Sequence, residues 1–338
     1  MRTATYIGDH TVETAEAEPL APAAGEVQIA VAYTGLCGTD LHIIHGNMDS
    51  RVSRPLAFGH EMSGTIAALG AGVTDWAVGD AVTVMPLVWD GTCPACLAGH
   101  QHICQNLVFV GIDSPGSLQE LWTVPADLLV RLPATLSLEH AALAEPVAVA
   151  VHDVRRSELT AGDKVVVIGG GPIGSLIATV ARHAGAEVVV IEPEPGRREQ
   201  IAGLGFLTVN PVGTDQTAWV EEWTAGAGAD VVFEVSGAAA AVRGATALAK
   251  VRGTLVVVAI HPVPREIDLQ RVFWRELRIL GARVYERADF ETAVQLLDEG
   301  VIPAAELISR IVPLDGIPAA VDDLENGRAL KVLVEVSA

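Results

Sequence analysis

Basic residues, aromatic residues and cysteines are all scarce in this chain of 338 residues. Lys and Arg total 22 against 42 Asp and Glu, which gives a formal net charge of −20 at pH 7. A surface so poor in positive charge argues against binding to nucleic acid or to anionic membranes, because both are negatively charged. With only four cysteines, the chain does not fit a scaffold held together by disulfides.

Long apolar runs are missing as well. No stretch of about 18 uncharged apolar residues occurs, so the sequence predicts no membrane-spanning helix. The N-terminus has no apolar core of the kind found in signal peptides, and we expect a cytoplasmic protein. Half of the residues are nevertheless hydrophobic and the mean hydropathy is +0.38. The chain therefore has enough apolar material for sizeable cores, and its length predicts about two domains.

The first 150 residues or so favour a β-rich domain. Short apolar segments bounded by Gly or Asp are typical of half-buried strands; they are Val27–Tyr33, Thr65–Leu69 and Ala81–Met85. Between Met85 and Pro125 the chain is rich in Gly, Pro, His and Cys and shows little periodicity. A loop of this length in a compact domain needs a separate source of order.

The pattern of apolar residues changes at Lys164. Short β-branched runs alternate with helical stretches; the runs are Val165–Ile168, Val188–Ile191, Val231–Val235 and Leu255–Ile260. Such alternation predicts an α/β domain with a doubly wound parallel sheet. A helix at Phe290–Glu299 and a strand at Lys331–Val336 are expected to return to the first domain. The predicted domains are thus 1–150 with 287–338, and 151–286.

A glycine-rich turn follows the first of these runs. It reads Gly-x-Gly-x-x-Gly between a strand and a helix, and its residues are Gly169, Gly171, Pro172, Ile173 and Gly174. In this context the glycines permit a tight turn, close approach to a pyrophosphate and helix–strand packing. The free N–H groups of the following helix would face the phosphates. The pattern predicts a dinucleotide site.

An acid at the end of the second strand indicates which dinucleotide binds. Glu192 follows Val188–Ile191, where a carboxylate accepts hydrogen bonds from the adenosine ribose and repels a 2′-phosphate. We therefore predict NAD rather than NADP. Arg197 and Arg198 are the counter-argument, since an arginine here can accommodate a phosphate. Their alternative interpretation is as solvated residues of the next helix.

Three separate residues offer metal ligands in the first domain. Cys37 and His60 supply a thiolate and an imidazole, both of which suit zinc. Glu145 lies in an apolar stretch, where burial of an acid without a partner is costly. Each has an ordinary explanation alone, as a buried thiol, a core histidine or a solvated carboxylate. Together, beside a nucleotide-binding domain, they indicate a catalytic metal with an open coordination position.

A second candidate metal site lies in the aperiodic loop. Cys93 and Cys96 form a C-x-x-C pair, Cys104 follows eight residues later, and Asp90 precedes Cys93 by three. A closed tetrahedral zinc site would order this loop, and we predict that Asp90 supplies its oxygen ligand. The alternatives are a metal-free loop with Asp90 as a turn residue, or a fourth ligand from His100 or His102.

In combination, these stretches resemble the zinc-dependent medium-chain alcohol and polyol dehydrogenases over essentially the whole chain. The pattern Gly59-His60-Glu61-x-x-Gly64 belongs to the resemblance. It implies a chaperonin-10-like catalytic domain, a Rossmann domain, and dimers or tetramers. Catalytic zinc would be held by Cys37, His60 and an acid. Glu145 in place of a cysteine is similar to the sorbitol, threonine and butanediol dehydrogenases, and Glu61 is a ligand in some members. Asp90 departs from the family, which has a cysteine there.

The implied reaction is the reversible oxidation of a secondary alcohol to a ketone by NAD. Zinc lowers the pKa of the bound alcohol, and hydride passes to the nicotinamide. The resemblance makes Thr39 the first hydroxyl of a proton relay and His42 the residue that passes the proton towards solvent. A local turn hydrogen bond and a surface position are their alternative explanations.

The substrate stays open at this point among polyols, vicinal diols, sugars and hydroxy-amino acids. Two other functions are compatible with the fold: a nucleotide-binding sensor without activity, and a zinc-free quinone or enoyl reductase. Retention of the metal ligands and of Thr39 favours the zinc dehydrogenase over both.

Overall fold

The chain forms two compact units in the computed structural model, which describes residues 1–337. The first unit comprises Met1–Pro146, Glu286–Gly300 and the chain from Ala304 onward. The second comprises Val147–Tyr285 and the short stretch Val301–Pro303. The ranges 1–150 with 287–338, and 151–286, remain our proposal for the domain boundaries.

The described residues contain strands and helices with the following bounds. The strands in chain order are β1 (Arg2–Gly8), β2 (Thr11–Glu16), β3 (Glu26–Gly35), β4 (Leu56–Ala57), β5 (Glu61–Leu69), β6 (Ala81–Val84), β7 (Leu87–Val88), β8 (Val108–Phe109), β9 (Leu121–Pro125), β10 (Leu129–Arg131), β11 (Lys164–Ile168), β12 (Glu187–Ile191), β13 (Leu207–Val209), β14 (Ala229–Glu234), β15 (Ala249–Val257), β16 (Arg278–Gly281), β17 (Ile308–Pro313) and β18 (Lys331–Glu335). The α-helices are α1 (Gly38–Ile44), α2 (Pro94–Leu97), α3 (Leu138–Ala141), α4 (Ala144–Ser157), α5 (Pro172–His183), α6 (Pro195–Gly203), α7 (Gln216–Trp223), α8 (Ala239–Leu248), α9 (Leu269–Arg275), α10 (Arg287–Asp298), α11 (Ala304–Leu307) and α12 (Ile317–Glu325). Short 3-10 helices lie at Gln101–Ile103, Ala126–Leu128 and Leu314–Gly316.

The first unit is built on a sheet of seven strands around β3. The sheet runs in the order β10-β6-β5-β3-β18-β17, and β9 also pairs with β3. Alternate residues of β3 are buried, among them Val27, Ile29 and Val31, as the period of two predicts. The C-terminal strand β18 pairs antiparallel with β3. The end of the chain therefore completes the sheet that begins near its start.

The second unit contains one sheet of six strands, in the order β13-β12-β11-β14-β15-β16. All neighbouring strands are parallel. Its central strands β11, β12 and β14 are largely buried on both faces, which explains why each contains an apolar β-branched run in the sequence. The strand order reverses between β11 and β14, and ligands of doubly wound sheets bind at this reversal. The predicted α/β class is confirmed.

Several elements went undetected in the sequence. The aperiodic stretch from Met85 to Pro125 contains the short elements β7, α2, β8 and β9, and the second unit also contains β13, α7, α9 and β16. Most of these segments are too short, or too exposed, to show a hydrophobic period. Among the described residues, no helix is long and apolar enough to cross a membrane.

Candidate functional site

Strand pairing brings the first set of candidate ligands together. β3 and β5 are antiparallel with Gly35 opposite Glu61, so the end of β3 lies beside the start of β5. Cys37 follows Gly35 by two residues and His60 precedes β5. One ligand atom each of Cys37, His60 and Glu61 lies within 4.8 Å of the others. His60 and Glu61 are buried and Cys37 is half-buried. This donor set of thiol, imidazole and carboxylate suits zinc.

A buried carboxylate orients this set. Asp40 lies in the first turn of α1 and has no exposed surface. One of its oxygens accepts a hydrogen bond of 2.8 Å from the Cys37 amide, and the other lies 3.5 Å from Nδ1 of His60. Burial lowers the pKa of His60, but the Asp40 carboxylate and the Cys37 sulfur raise it well above the ordinary value. A histidine held by a carboxylate at Nδ1 presents Nε2 to a metal, as is usual at zinc sites.

Glu145 lies in the same unit but outside this group of three. It is in the first turn of α4 and is 5% exposed. Its charge raises the pKa of Lys331, whose ammonium group forms an ion pair with Glu61. The two acids that the sequence offers as alternative ligands therefore face the same buried lysine. Of the two, Glu61 is the one grouped with Cys37 and His60.

The two candidate relay residues lie on α1 directly after Cys37. The Cys37 thiol is 3.8 Å from the Thr39 hydroxyl oxygen. His42 is in the last turn of α1 and is exposed, with Nδ1 3.3 Å from the side-chain amide of Asn47. Thr39 thus lies beside a candidate ligand, and His42 is in contact with solvent. Their roles in proton transfer remain predictions.

The cysteine loop forms a second cluster of ligand atoms. One oxygen of Asp90 and the sulfurs of Cys93, Cys96 and Cys104 all lie within 4.8 Å of one another. The three cysteines are 4–7% exposed, and no disulfide joins them. This group does not contain His100 or His102, the alternative fourth ligands. Three sulfurs and one oxygen in a closed pocket fit a tetrahedral zinc site.

Hydrogen bonds and burial give the carboxyl and thiol groups of this loop different pKa values. The Cys93 and Thr92 amides and the Asn106 side chain donate to Asp90 and hold the pKa of its carboxyl below the ordinary range. Backbone donors also lower the pKa of the Cys93 thiol. Burial, in contrast, raises the pKa of Cys96 to about 12. Zinc binding requires thiolates, so metal binding and proton release are coupled here.

The glycine turn has the shape that a pyrophosphate requires. Gly169 has φ +111°, which other residues rarely adopt, and lies between β11 and α5. A side chain on Gly174 would overlap the carbonyl oxygen of Gly169, whereas the space around Gly171 is open. Pro172 occupies the start of α5, and the half-buried Ile173 follows it. The open side at Gly171 leaves room for phosphate at a helix N-terminus.

Glu192 is buried at the end of β12 and bonds to this turn. Its two oxygens accept hydrogen bonds of 2.7 Å from the Gly170 amide and 2.9 Å from the Glu194 amide. Arg198 donates to the backbone carbonyl of Glu192 at 3.0 Å. The Arg197 amide is capped by the Glu194 carboxylate. Of these residues, only Glu192 bonds by its side chain to the glycine turn.

Sequence reasoning missed two residues that organise the metal centre, Asp40 and Lys331. The signal for Asp40 was its position three residues after Cys37, where a carboxylate at a helix start can bond back to the cap residue. Lys331 had one signal, a lysine directly before the apolar residues of the terminal strand. Neither signal identifies the partner, because Glu61 and Lys331 are 270 residues apart.

A chain that has a clustered thiol, imidazole and carboxylate in one unit and a doubly wound sheet with a glycine turn in the other has the features of the metal-dependent oxidoreductases. Comparison with known families identifies the group. Residues 23–134 match the alcohol dehydrogenase GroES-like domain, and residues 172–299 match the zinc-binding dehydrogenase domain. The chain belongs to the zinc-type alcohol and polyol dehydrogenases, and as such is an enzyme that acts on CH–OH donors.

Individual relatives agree with this assignment. The chain is 51% identical to the 2-dehydro-3-deoxy-L-galactonate 5-dehydrogenase of Pseudoalteromonas atlantica, over 100% of this chain and 99% of the relative. It is 32% identical to the sorbitol dehydrogenase of Halalkalibacterium halodurans, over 93% and 92%. The crystal structure of 2R,3R-butanediol dehydrogenase from Bacillus subtilis matches with a TM-score of 0.91 at 32% identity, over 99% of both chains. The predicted family and reaction class are confirmed.

Proposed function

We propose that this protein is an NAD-dependent zinc dehydrogenase that oxidises a secondary alcohol of a sugar acid to a ketone, reversibly. The observation that carries the proposal is the juxtaposition of Cys37 and His60, which Asp40 orients and which has the buried Glu61 carboxylate beside it. The substrate class comes from the relative named for 2-dehydro-3-deoxy-L-galactonate, with which the chain shares 51% identity. Sorbitol and 2,3-butanediol represent the alternative polyol and diol substrates.

Different residues of the first unit would bind the metal, orient its ligands and transfer the proton. Cys37 and His60 would hold the catalytic zinc together with an acid, which we assign to Glu145 because Glu61 is already ion-paired with Lys331. When bound, zinc acts as a Lewis acid that lowers the pKa of the substrate hydroxyl. Asp40 keeps the imidazole of His60 in the orientation that presents Nε2. Thr39 would accept the substrate proton at its hydroxyl oxygen and give up its own hydroxyl proton towards the exposed His42, which would release a proton to solvent.

The second unit supplies the cofactor site in this proposal. Gly171 and the start of α5 would receive the pyrophosphate of NAD, because a helix N-terminus offers free N–H groups. Glu192 would accept hydrogen bonds from the hydroxyl groups of the adenosine ribose. Its buried negative charge repels the 2′-phosphate of NADP. The bonds of the Arg198 side chain to backbone carbonyls of the β12–α6 turn support its interpretation as a residue of the next helix, whereas Arg197 remains a candidate cofactor ligand.

We further propose a second, structural zinc held by Asp90, Cys93, Cys96 and Cys104. Oxygen binds zinc at about 2.0–2.2 Å and thiolate at about 2.3 Å, so that a carboxylate can replace a cysteine with a small adjustment of the loop. The clustered sulfurs and the nearby Asp90 oxygen support this assignment. All four cysteines of the chain would then be metal ligands. Thiolate ligands require a reducing compartment, which supports a cytoplasmic location.

A homodimer is the oligomeric state that we propose. β16 is an edge strand of the six-stranded sheet, and its free backbone groups can pair with a second copy about a two-fold axis. The preceding helix α9 exposes Phe273 and Trp274 at 73% and 72%. Large exposed aromatic residues beside an unpaired edge are typical of an interface.

A substrate panel tests the proposed activity. The zinc-loaded protein is assayed for NADH formation with a 2-dehydro-3-deoxy sugar acid, sorbitol, 2,3-butanediol and threonine, each with NAD and NADP. We expect the highest kcat/KM with the sugar acid and NAD. A higher kcat/KM with sorbitol, 2,3-butanediol or threonine would overturn the substrate assignment. Absence of turnover with every alcohol in protein that contains zinc would overturn the enzymatic function itself.

A further inference from the structure

A buried ion pair lies directly beside the candidate catalytic metal ligands. Lys331, the first residue of β18, is 4% exposed, and Glu61, the first residue of β5, is 1% exposed. The Lys331 ammonium group forms an ion pair with the Glu61 carboxylate and donates a 3.0 Å hydrogen bond to the carbonyl oxygen of Leu36. Removing two charges from water is unfavourable unless each stabilises the other. The pair is therefore a specific feature of this site.

A glycine makes the contact between these two strands possible. β3 lies between β5 and β18, and Gly35 is paired with Glu61 on one side and with Leu333 on the other. A side chain on Gly35 would overlap the Glu61 carboxylate, and its Cβ would approach Cε of Lys331 to 3.1 Å. The absence of a side chain at Gly35 thus leaves the space in which the ammonium and carboxylate groups meet.

The negative groups around Lys331 are candidate ligands of the catalytic metal. Burial lowers the pKa of Lys331, but the negative groups of Glu61, Cys37 and Glu145 outweigh this and raise it above the ordinary value. Glu61 also has a ligand atom within 4.8 Å of those of Cys37 and His60. Its carboxylate consequently lies within reach of two cations, the ammonium group and a metal bound by Cys37 and His60.

We propose that Lys331 is a positioning residue that holds the Glu61 carboxylate away from the catalytic zinc and so keeps a coordination position free for the alcohol. The proposal rests on the proposed function, since it requires zinc at Cys37 and His60. Cys37, His60 and Glu145 then supply the three protein ligands that an open catalytic site needs. Without the ammonium group, Glu61 would satisfy its buried charge by binding the metal, which closes the site.

The test is the rate at which zinc leaves the site. In Lys331→Met, a side chain of similar length without charge, Glu61 becomes an additional ligand, and we expect zinc loss to a chelator to slow by roughly tenfold. Turnover should fall at the same time, because the substrate position is occupied. A merely structural lysine would produce the opposite result, faster zinc loss. The zinc bound at Cys37 is identified by subtracting the trace of Cys37→Ser, which retains only the cysteine-loop metal.

Two further variants separate the ion pair from its effect on the metal. Lys331→Met combined with Glu61→Gln removes both charges, and zinc loss should return to the wild-type rate. Lys331→Arg keeps the charge and should retain the wild-type rate of zinc loss. Lys250→Met serves as the matched control, since Lys250 pairs with Asp230 in the second unit and faces no metal ligand. It should leave zinc loss and turnover unchanged.

A spectroscopic measurement gives an independent result. With cobalt in place of zinc, the visible absorption of Lys331→Met should change in the intensity that reports coordination number, and the double variant should show the wild-type spectrum. Should Lys331→Met fail to fold, Glu61→Gln alone decides the question. Unchanged zinc loss in that variant supports the proposal, because a carboxylate held by Lys331 is not a ligand.

Three outcomes would overturn the proposal. Faster zinc loss in Lys331→Met assigns the lysine a structural role only. Zinc loss accelerated about tenfold in Glu61→Gln makes Glu61 a resting ligand. Absence of any zinc that Cys37→Ser removes from the wild-type count overturns the proposed function itself, and this result is recognised before any lysine variant is made.

Discussion

At the scale of single residues, two buried carboxylates organise the two candidate cofactor sites in the same way. Asp40 accepts a hydrogen bond from the amide of Cys37, and Glu192 accepts hydrogen bonds from the amides of Gly170 and Glu194. Each carboxylate fixes a turn of the backbone and keeps its charge near the cofactor site. Charge-assisted hydrogen bonds of this kind are stronger than neutral ones. Substitutions of single residues at these sites are therefore expected to act through charge and metal ligation.

Cys37→Ser should abolish turnover and leave the chain folded. A hydroxyl is a poor zinc ligand, so the protein should lose one of about two zinc ions per chain. Loss of Lewis-acid stabilisation should lower kcat by roughly a thousandfold or more. Zinc analysis, circular dichroism and NADH formation measure the three effects. Thr39→Val is the matched control, because it should keep both metals; near-native activity of Cys37→Ser would contradict the metal mechanism.

Glu192→Ala should weaken the binding of NAD and raise the relative use of NADP. Loss of a carboxylate acceptor should increase the dissociation constant for NAD by about tenfold, and removal of the negative charge relieves repulsion of the 2′-phosphate. Titration of NADH and NADPH fluorescence measures both constants. Glu187→Ala, at the exposed start of β12, serves as the control. A wild-type preference for NADP would show that the assignment of Glu192 is wrong.

At the scale of elements, the cysteine loop contrasts with the rest of the first unit. α2 has four residues and the adjacent 3-10 helix three, which is too short for stability without tertiary support. The apolar residues packed against the three cysteines are few, namely Ala95 and Leu107. Clustered side chains rather than an extended core therefore hold this segment. We expect its stability to depend on metal.

Asp90→Ala should lower the zinc content from about two to about one per chain and lower the melting temperature. Turnover of the surviving enzyme should change much less, since the catalytic ligands are elsewhere. Asp90→Cys should restore the metal, because thiolate is also a good ligand. Metal analysis and thermal unfolding with and without a chelator provide the measurements. One zinc per wild-type chain in fully active protein, unchanged by Asp90→Ala, would overturn the second site.

At the scale of the whole molecule, net charge and exposed apolar surface have opposite effects. A formal charge of −20 disfavours association between copies, so any stable interface needs compensating apolar contact. The described surface offers such contact beside β16, where Phe273 and Trp274 lie with ring centroids 5.3 Å apart. Added salt screens the repulsion and should therefore strengthen a dimer formed there.

Trp274→Asp should convert the dimer into a monomer. The added carboxylate replaces an apolar contact with charge on both copies of a symmetric interface, so that its effect counts twice. Light scattering during size-exclusion chromatography measures the mass, which should fall from about two chains to one. Trp89→Asp is the control, since Trp89 is a 40% exposed tryptophan of the first unit. An unchanged mass in Trp274→Asp would place the interface elsewhere.

The sequence by itself predicted the central strands of the second unit and the candidate metal donors. Strands such as β11 and β12 are buried on both faces, so their apolar runs are visible without a partner. The glycine turn and the C-x-x-C pair are local, and local spacing carries their chemistry. The predicted runs agree with β11 and β12 to within one residue at each end.

Only the tertiary structure decided which acids face the metal centre and how they are paired. Glu61 and Lys331 meet because β3 lies between their strands and carries a glycine at the crossing, a relation that no local pattern contains. Asp40, in the first turn of α1, likewise lies near His60, which directly precedes β5 and is 20 residues further along the chain. Edge strand β16 and helix α9 lacked a clear period because their apolar residues stay exposed. Burial produces a periodic pattern of apolar residues that can be recognised in a sequence. Pairing between charges that are distant in the sequence depends instead on which strands the tertiary fold brings together.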